Sequence, residues 1–278
     1  MKKLFFIFIF IFISYFSNAQ KENYNWDFDG RYVVTFNTPD GEPQILMKST
    51  NKWMQGSAVH NLIHSAISDS NGNFLFSTDG AYIYNYVGET KKMYYNDPQE
   101  GLIIKKMGLE EGHHLSGWNS VIVKQPGKEN IYYVFVSIIA QYNFYTAYIY
   151  SIVDMSKNEG KGEIVSINNL ISNPEKNPKS ALSSALLNVI QHANGKDYWI
   201  ITHRLPSRRF EVYLLNENGL DTDNPIISST EMFLTDIPNV ESLLIAGDYS
   251  GRKMQSNQKG DVLAINCYIE DLKKKSNF

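Results

Sequence analysis

Cys267 is the only cysteine in the chain, so no intrachain disulfide can form and stability has to come from packing. No cysteine follows the N-terminal apolar run, which excludes the acylated N-terminus of a bacterial lipoprotein. A basic stripe is missing as well. The one basic cluster, Lys273 to Lys275, is near the end, and nothing else draws the chain to nucleic acid. Helical periodicity is nearly absent, and Ser180 to Leu187 is the one stretch that reads as a turn of helix. No Gly-x-Ser-x-Gly elbow supports a serine nucleophile.

The apolar run from Leu4 to Phe16 follows Lys2 and Lys3 and leads into Ser17, Asn18 and Ala19. It is shorter than the ~18 to 20 residues a spanning helix needs, and the three-part pattern is that of a secretory signal peptide cleaved after Ala19. Cleavage would leave 259 residues, enough for one large domain over 20–278, without an integral membrane segment. The formal charge would move from −3 to −5, because Lys2 and Lys3 leave with the signal.

What is abundant is aromatic and β-branched sequence in short segments, which suits strands. One module recurs: a strand, a tight polar turn, an aromatic strand and a further strand. The first copy runs Ser65 to Ser68, turns at Asn71-Gly72, and continues through Phe74 to Phe76 and Ala81 to Tyr84. A two-residue hairpin there wants positive φ, which Asn and Gly tolerate best.

The second copy spans Asn119 to Val123, the turn at Gly127, Ile131 to Val136 and Thr146 to Val153. The third spans Leu187 to Ile190, the turn at Asn194-Gly195, Tyr198 to Thr202 and Phe210 to Leu215. A fourth begins at Lys253, turns at Gly260, enters Val262 to Asn266 and fades. Glycines 72, 127, 195 and 260 are 55, 68 and 65 residues apart. Fourth strands are expected at Gly101 to Lys105, Gly162 to Ile167 and Pro225 to Ser229. Asn25 to Phe36 reads as a strand pair before the first module. The expected fold is all-β, a partial β-propeller of about three four-stranded blades plus an incomplete fourth.

Several constellations are weighed against chemistry. His60 and His64, and His113-His114 beside Glu110-Glu111, lack the fixed convergence a metal needs, so no metal or cofactor is expected. Asp69-Ser70-Asn71-Gly72-Asn73 resembles a calcium loop without its distal Glu, and reads as a hairpin held by side-chain-to-backbone hydrogen bonds. It also comes near the sialidase Asp-box, itself a structural turn. Asp69, Asp79, Asp154 and Asp197 all border turns, where capping is the default, so no facing carboxylate pair emerges for hydrolysis. Trp118, Tyr142, Tyr145 and Tyr148, with Phe144 and Tyr150, could form a sugar-stacking platform. Alternation along Tyr148-Ile149-Tyr150 argues that some of them pack between sheets instead. Cys267, among apolar residues, reads as buried and inert.

Taken together, Ile67 to Gly80, Gln125 to Tyr133, Ser151 to Met155 and His192 to Trp199 resemble the N-terminal WD40-like propeller region of large Bacteroidetes surface proteins. Those proteins end in a gliding-motility-associated sorting domain of the type IX secretion route. The resemblance covers nearly all of 24–270 and implies a secreted or cell-surface module without known catalytic residues. The charged end Asp271 to Phe278 carries no such sorting domain, so the periplasm is the alternative destination. The resulting expectation is a non-enzymatic binding or structural module for a protein or glycan ligand. Its alternatives are a glycan hydrolase or lyase on the same scaffold, or the remnant of a truncated surface protein. An incomplete ring would leave an open sheet edge near residues 262–269 through which copies could associate.

Overall fold

A computed structural model describes residues 21–28, 32–48, 65–78, 80, 83–87, 89–93, 115–140, 146–171, 183–204, 209–229, 253–257, 260 and 262–266. The protein is all-β, and the described strands form five antiparallel sheets. The first sheet joins β1 (Asn25–Phe28), β2 (Tyr32–Thr35) and β3 (Gln44–Lys48). In the second, β4 (Ser65–Ser68), β5 (Phe74–Thr78), β6 (Ile83–Val87) and β7 (Glu89–Met93) follow one another as a meander. The third repeats that order with β8 (Leu115–Lys124), β9 (Ile131–Ala140), β10 (Thr146–Asp154) and β11 (Glu163–Leu170).

The fourth sheet contains β12 (Ser183–Gln191), β13 (Tyr198–Arg204) and β14 (Arg209–Asn216). Its outer strand comes in two pieces, β15 (Gly219–Leu220) and β16 (Ile226–Ser229), which pair opposite ends of β14. The fifth is a pair, β17 (Lys253–Ser256) and β18 (Leu263–Asn266).

The expected strands therefore form, with three differences. Ser183 to Leu187 belongs to β12, not to a turn of helix, because the ladder to β13 and burial of Leu186 and Leu187 override local helical spacing. Glu89–Met93 supplies the fourth strand of the second sheet, while the expected Gly101 to Lys105 lies outside the described residues. A strand at Gln44–Lys48 joins the N-terminal pair.

The sheets stack in chain order. First strands meet one another, β1 against β4, β4 against β8, β8 against β12 and β12 against β17. Period-2 alternation then gives each strand two working faces. In the third sheet Ile122, Tyr132, Val134 and Ile149 pack against Ile67, Phe76 and Ile83 of the second. Their neighbours Val123, Tyr133, Phe135 and Tyr148 pack against Leu187, Ile200, Tyr213 and Leu215 of the fourth. A smaller cluster of Leu186, Ile201, Phe210 and Met254 joins the fourth sheet to the fifth. At ~1.5–3 kcal/mol for each large apolar side chain removed from water, these interfaces are the main stabilising contribution.

Short polar links register the first strands. Asn25 Nδ2 donates to Ser68 Oγ and to the Gly72 carbonyl, both at 2.8 Å. Ser65 Oγ donates to the Ser120 carbonyl at 2.7 Å, and Asn119 Nδ2 to that of Leu187 at 3.1 Å.

The turns hold the expected glycines at positive φ: 86° at Gly72, 68° at Gly127, 70° at Gly195 and 71° at Gly260. The first turn is nevertheless not a two-residue Asn-Gly hairpin. The Gly72 N–H closes onto the Asp69 carbonyl at 3.0 Å, so Ser70 and Asn71 are the central residues and only Gly72 needs the left-handed region. Gly195 and Gly260 close their turns in the same way, onto the carbonyls of His192 and Asn257. At the second turn Pro126 precedes Gly127, and the Lys128 N–H reaches the Gln125 carbonyl at 3.2 Å. Pro then Gly with positive φ is the type II arrangement.

A Cβ at Gly72 would stand 2.7 Å from Asn37 Cγ, whereas one at Gly195 meets nothing within 4 Å. Gly195→Ala should therefore cost only the backbone strain, about 1 kcal/mol. Gly72→Ala should cost about 1–3 kcal/mol more, since Asn37 must move. Urea denaturation of the two variants checks the difference, and equal losses would contradict it.

Candidate functional site

Two of the turns that close the first strands enclose a cavity of about 650 Å³. Its walls come from the ends of β8 and β12, from Ile67 on β4, and from Glu22 and Asn23 just before β1. The Ser68 N–H donates to the Glu22 carbonyl at 3.0 Å, which fixes the N-terminal segment against the end of β4. On the opposite side, Gln125 Nε2 donates to the Glu217 carbonyl at 3.0 Å. The β8–β9 turn is thereby tied to the turn after β14, and Gly127 fits against the Glu217 side chain.

The floor is aliphatic, with Ile67, Val121, Val123 and Val189, and the rim is charged. Lys124 and Lys128 come from the β8–β9 hairpin, Lys196 from the β12–β13 turn, and Glu22 and Glu129 complete the set. None of these five takes part in an ion pair of the described residues. Tyr198 is half-buried in the wall. Burial first, and then the Glu22 charge, raise its phenol pKa. The same combination, with Asp69 added, pushes Tyr132 up to about 12. Both phenols are therefore neutral hydroxyls at physiological pH, and both feel the Glu22 carboxylate.

No protein-family model, curated protein or solved structure matches the chain. The chemistry of the site rests accordingly on its own residues. An aliphatic floor with a few charged groups at its rim is compatible with a small-ligand pocket, and the volume falls within the ~300–1,000 Å³ of such sites.

The expected aromatic platform fares differently. Tyr148 is 3% exposed, and its hydroxyl lies 2.8 Å from the Leu186 carbonyl and 2.9 Å from that of His203. It is a strut between the third and fourth sheets and offers no face to a sugar. Tyr150 stacks on Tyr133 with ring centroids 5.5 Å apart, as the alternation along β10 predicts. Trp118 lies on β8, while Tyr142, Phe144 and Tyr145 lie outside the described residues, as do Asp79, Cys267 and all four histidines weighed for metal.

The turn carboxylates are occupied. Asp69 Oδ1 accepts from the backbone N–H groups of Asn71 and Asn73 at 2.9 Å, and Oδ2 from Asn73 Nδ2 at 2.9 Å. Partial burial raises its pKa, but the donors from Asn73, Asn71 and Gly72 outweigh that and hold it below the usual carboxylate range. The Ser156 hydroxyl and N–H lower Asp154 likewise. Asn194 binds Asp197 through Nδ2–Oδ2 at 2.7 Å. These groups shape hairpins, as expected of residues beside turns.

One polar cluster has no counterpart in the sequence reading. Glu211, 3% exposed, faces Arg204 Nε at 2.6 Å and Arg209 Nη2 at 3.3 Å, and accepts the Tyr213 hydroxyl at 2.6 Å. Burial and that bond to Glu211 raise the Tyr213 phenol far above its ordinary value. The available signal is parity: Glu211 sits opposite Thr202 on the face that also carries Ile200 and Tyr213. A charge at that inward position needs a partner, and two arginines stand close by in sequence.

Tyr148→Phe tests the strut. Losing the hydroxyl removes the single buried O–H shared between the Leu186 and His203 carbonyls, and the acceptor of the His203 N–H, and should lower stability by about 1–3 kcal/mol. Full stability in that variant, measured by denaturation, would contradict the strut.

Proposed function

We propose that the protein is an exported, non-enzymatic binding module of propeller-like design, acting at the cell surface or in the periplasm. The observation that carries this reading is the stacking of meander sheets in chain order with their first strands adjacent. Sheets so placed fan around an axis, and the three four-stranded meanders then serve as blades, with the pair β17–β18 as part of a further one. The three-stranded sheet β1–β3 stands as a blade of its own in this arrangement. Binding is favoured over catalysis because the carboxylates Asp69, Asp154 and Asp197 are committed to turns, whereas the cavity offers charges that are not engaged.

The mature chain should bind a member of a broad panel of soluble glycans and peptides without altering it, with mass spectrometry of the recovered ligand as the check. Turnover of any glycan, abolished by a single Asp→Asn change, would replace this reading with that of a carbohydrate-active enzyme.

The reading includes self-association through β18. Among the described strands this one pairs only with β17, and Val262 just before it and Leu263 at its start are 58% and 37% exposed. Light scattering after size exclusion should give more than the monomer mass, and replacing Leu263 with Lys should reduce it. A sharply melting monomer would show that the edge is covered from within the chain.

A further inference from the structure

We infer that the cavity takes a short peptide bearing a free amino group and a free carboxylate, with an apolar side chain between them. The inference deepens the binding-module reading and rests on it.

Charge placement is the first ground. The rim carries both signs, three lysines and two glutamates, and in the described structure no pair among them comes within ion-pairing distance. Opposite charges gathered around one cavity but held apart leave their attraction unspent, and a ligand with both signs spans the gap. A purely anionic ligand would meet Glu22 and Glu129 as well as the lysines, and a purely cationic one would meet three ammonium groups.

Depth is the second ground. Glu22 lies close enough to Tyr132 and Tyr198 for its charge to act on both phenols, and Tyr132 is 3% exposed. Glu22 is itself half-buried, whereas Glu129, Lys128 and Lys196 on the same lining are exposed, so an ammonium group gains most beside Glu22. Lys128 and Lys196 are exposed on their turns at the outer rim. A peptide would enter amino end first, toward Glu22, and keep its carboxylate among the lysines.

The floor is the third ground. Ile67, Val121, Val123 and Val189 are aliphatic and branched. Sugars are usually held by aromatic faces and fans of hydrogen bonds, and Tyr198 is the one aromatic ring in the lining. A leucine-sized side chain fits such a floor better than a pyranose does.

Isothermal titration of the mature chain with Ala-Leu-Ala tests this, alongside the N-acetylated tripeptide, the C-amidated tripeptide and an oligogalacturonate. The free tripeptide should bind saturably, and blocking either end should weaken it at least tenfold. Glu22→Gln should abolish the discrimination against the acetylated form only. Lys128→Met combined with Lys196→Met should abolish that against the amidated form only. Unchanged melting temperatures establish that the variants fold. Equal affinity for free and blocked peptides overturns the inference. So does binding of the oligogalacturonate with none of the tripeptide, although the binding-module reading then stands. Absence of binding by every probe, together with turnover in the glycan panel, overturns both.

Discussion

The third sheet has no solvent face over most of its area, and the rest of the described structure depends on that. Ile131 to Val136 run as six consecutive apolar residues, and alternate members are claimed by the sheets on either side. A strand that served one face could afford polar residues at every second position, whereas this one cannot. Tyr132 meets Phe76 edge-on at 5.6 Å on one side, and Tyr133 stacks near Phe135 and Tyr150 on the other. Shifting β9 by one residue would exchange these two sets, and both interfaces would fail together. The bulges where β8 and β10 meet their neighbours absorb irregularity without breaking that alternation.

With the central sheet fixed, positions at its margins follow. The first strands cannot separate from one another without breaking Ser65–Ser120 and Asn119–Leu187, so the ends of β4, β8 and β12 stay together. The aliphatic interfaces stop short of those ends, and the hairpins carry charge instead. The cavity is the space left where dry packing gives way to the turns. Its floor is thus an extension of the core, and its rim is turn sequence.

The strands were legible because each writes its own period locally. Ser65–Ser68 and the pair at Tyr198 and Arg209 needed no tertiary information, since β-branched and aromatic runs bounded by Asn, Gly and Pro declare themselves. Glu89–Met93 did not, because Glu-Thr-Lys-Lys-Met has no apolar pattern and becomes a strand only by pairing β6. Ser183 to Leu187 misled for the converse reason, with serines, alanines and leucines spaced for a helix and a partner strand that decides otherwise. The cavity was not legible at all. Glu22, Lys124 and Lys196 are brought together from the N-terminal segment and two distant hairpins, and no spacing rule joins them. Tyr148 could be read either as a platform or as a strut, and only the carbonyls of Leu186 and His203 settle which.

Nearly every ladder joins strands that are consecutive along the chain; the link of β14 to β16 merely skips the two residues of β15. Loop closure within each sheet is therefore short, and contact order is low for an all-β protein. Only the stacking of one finished sheet upon the previous one is non-local, and it too proceeds in order. A chain released from its N-terminus onward can complete each meander before the next emerges, so that at any moment one unfinished face is exposed to misassembly rather than several.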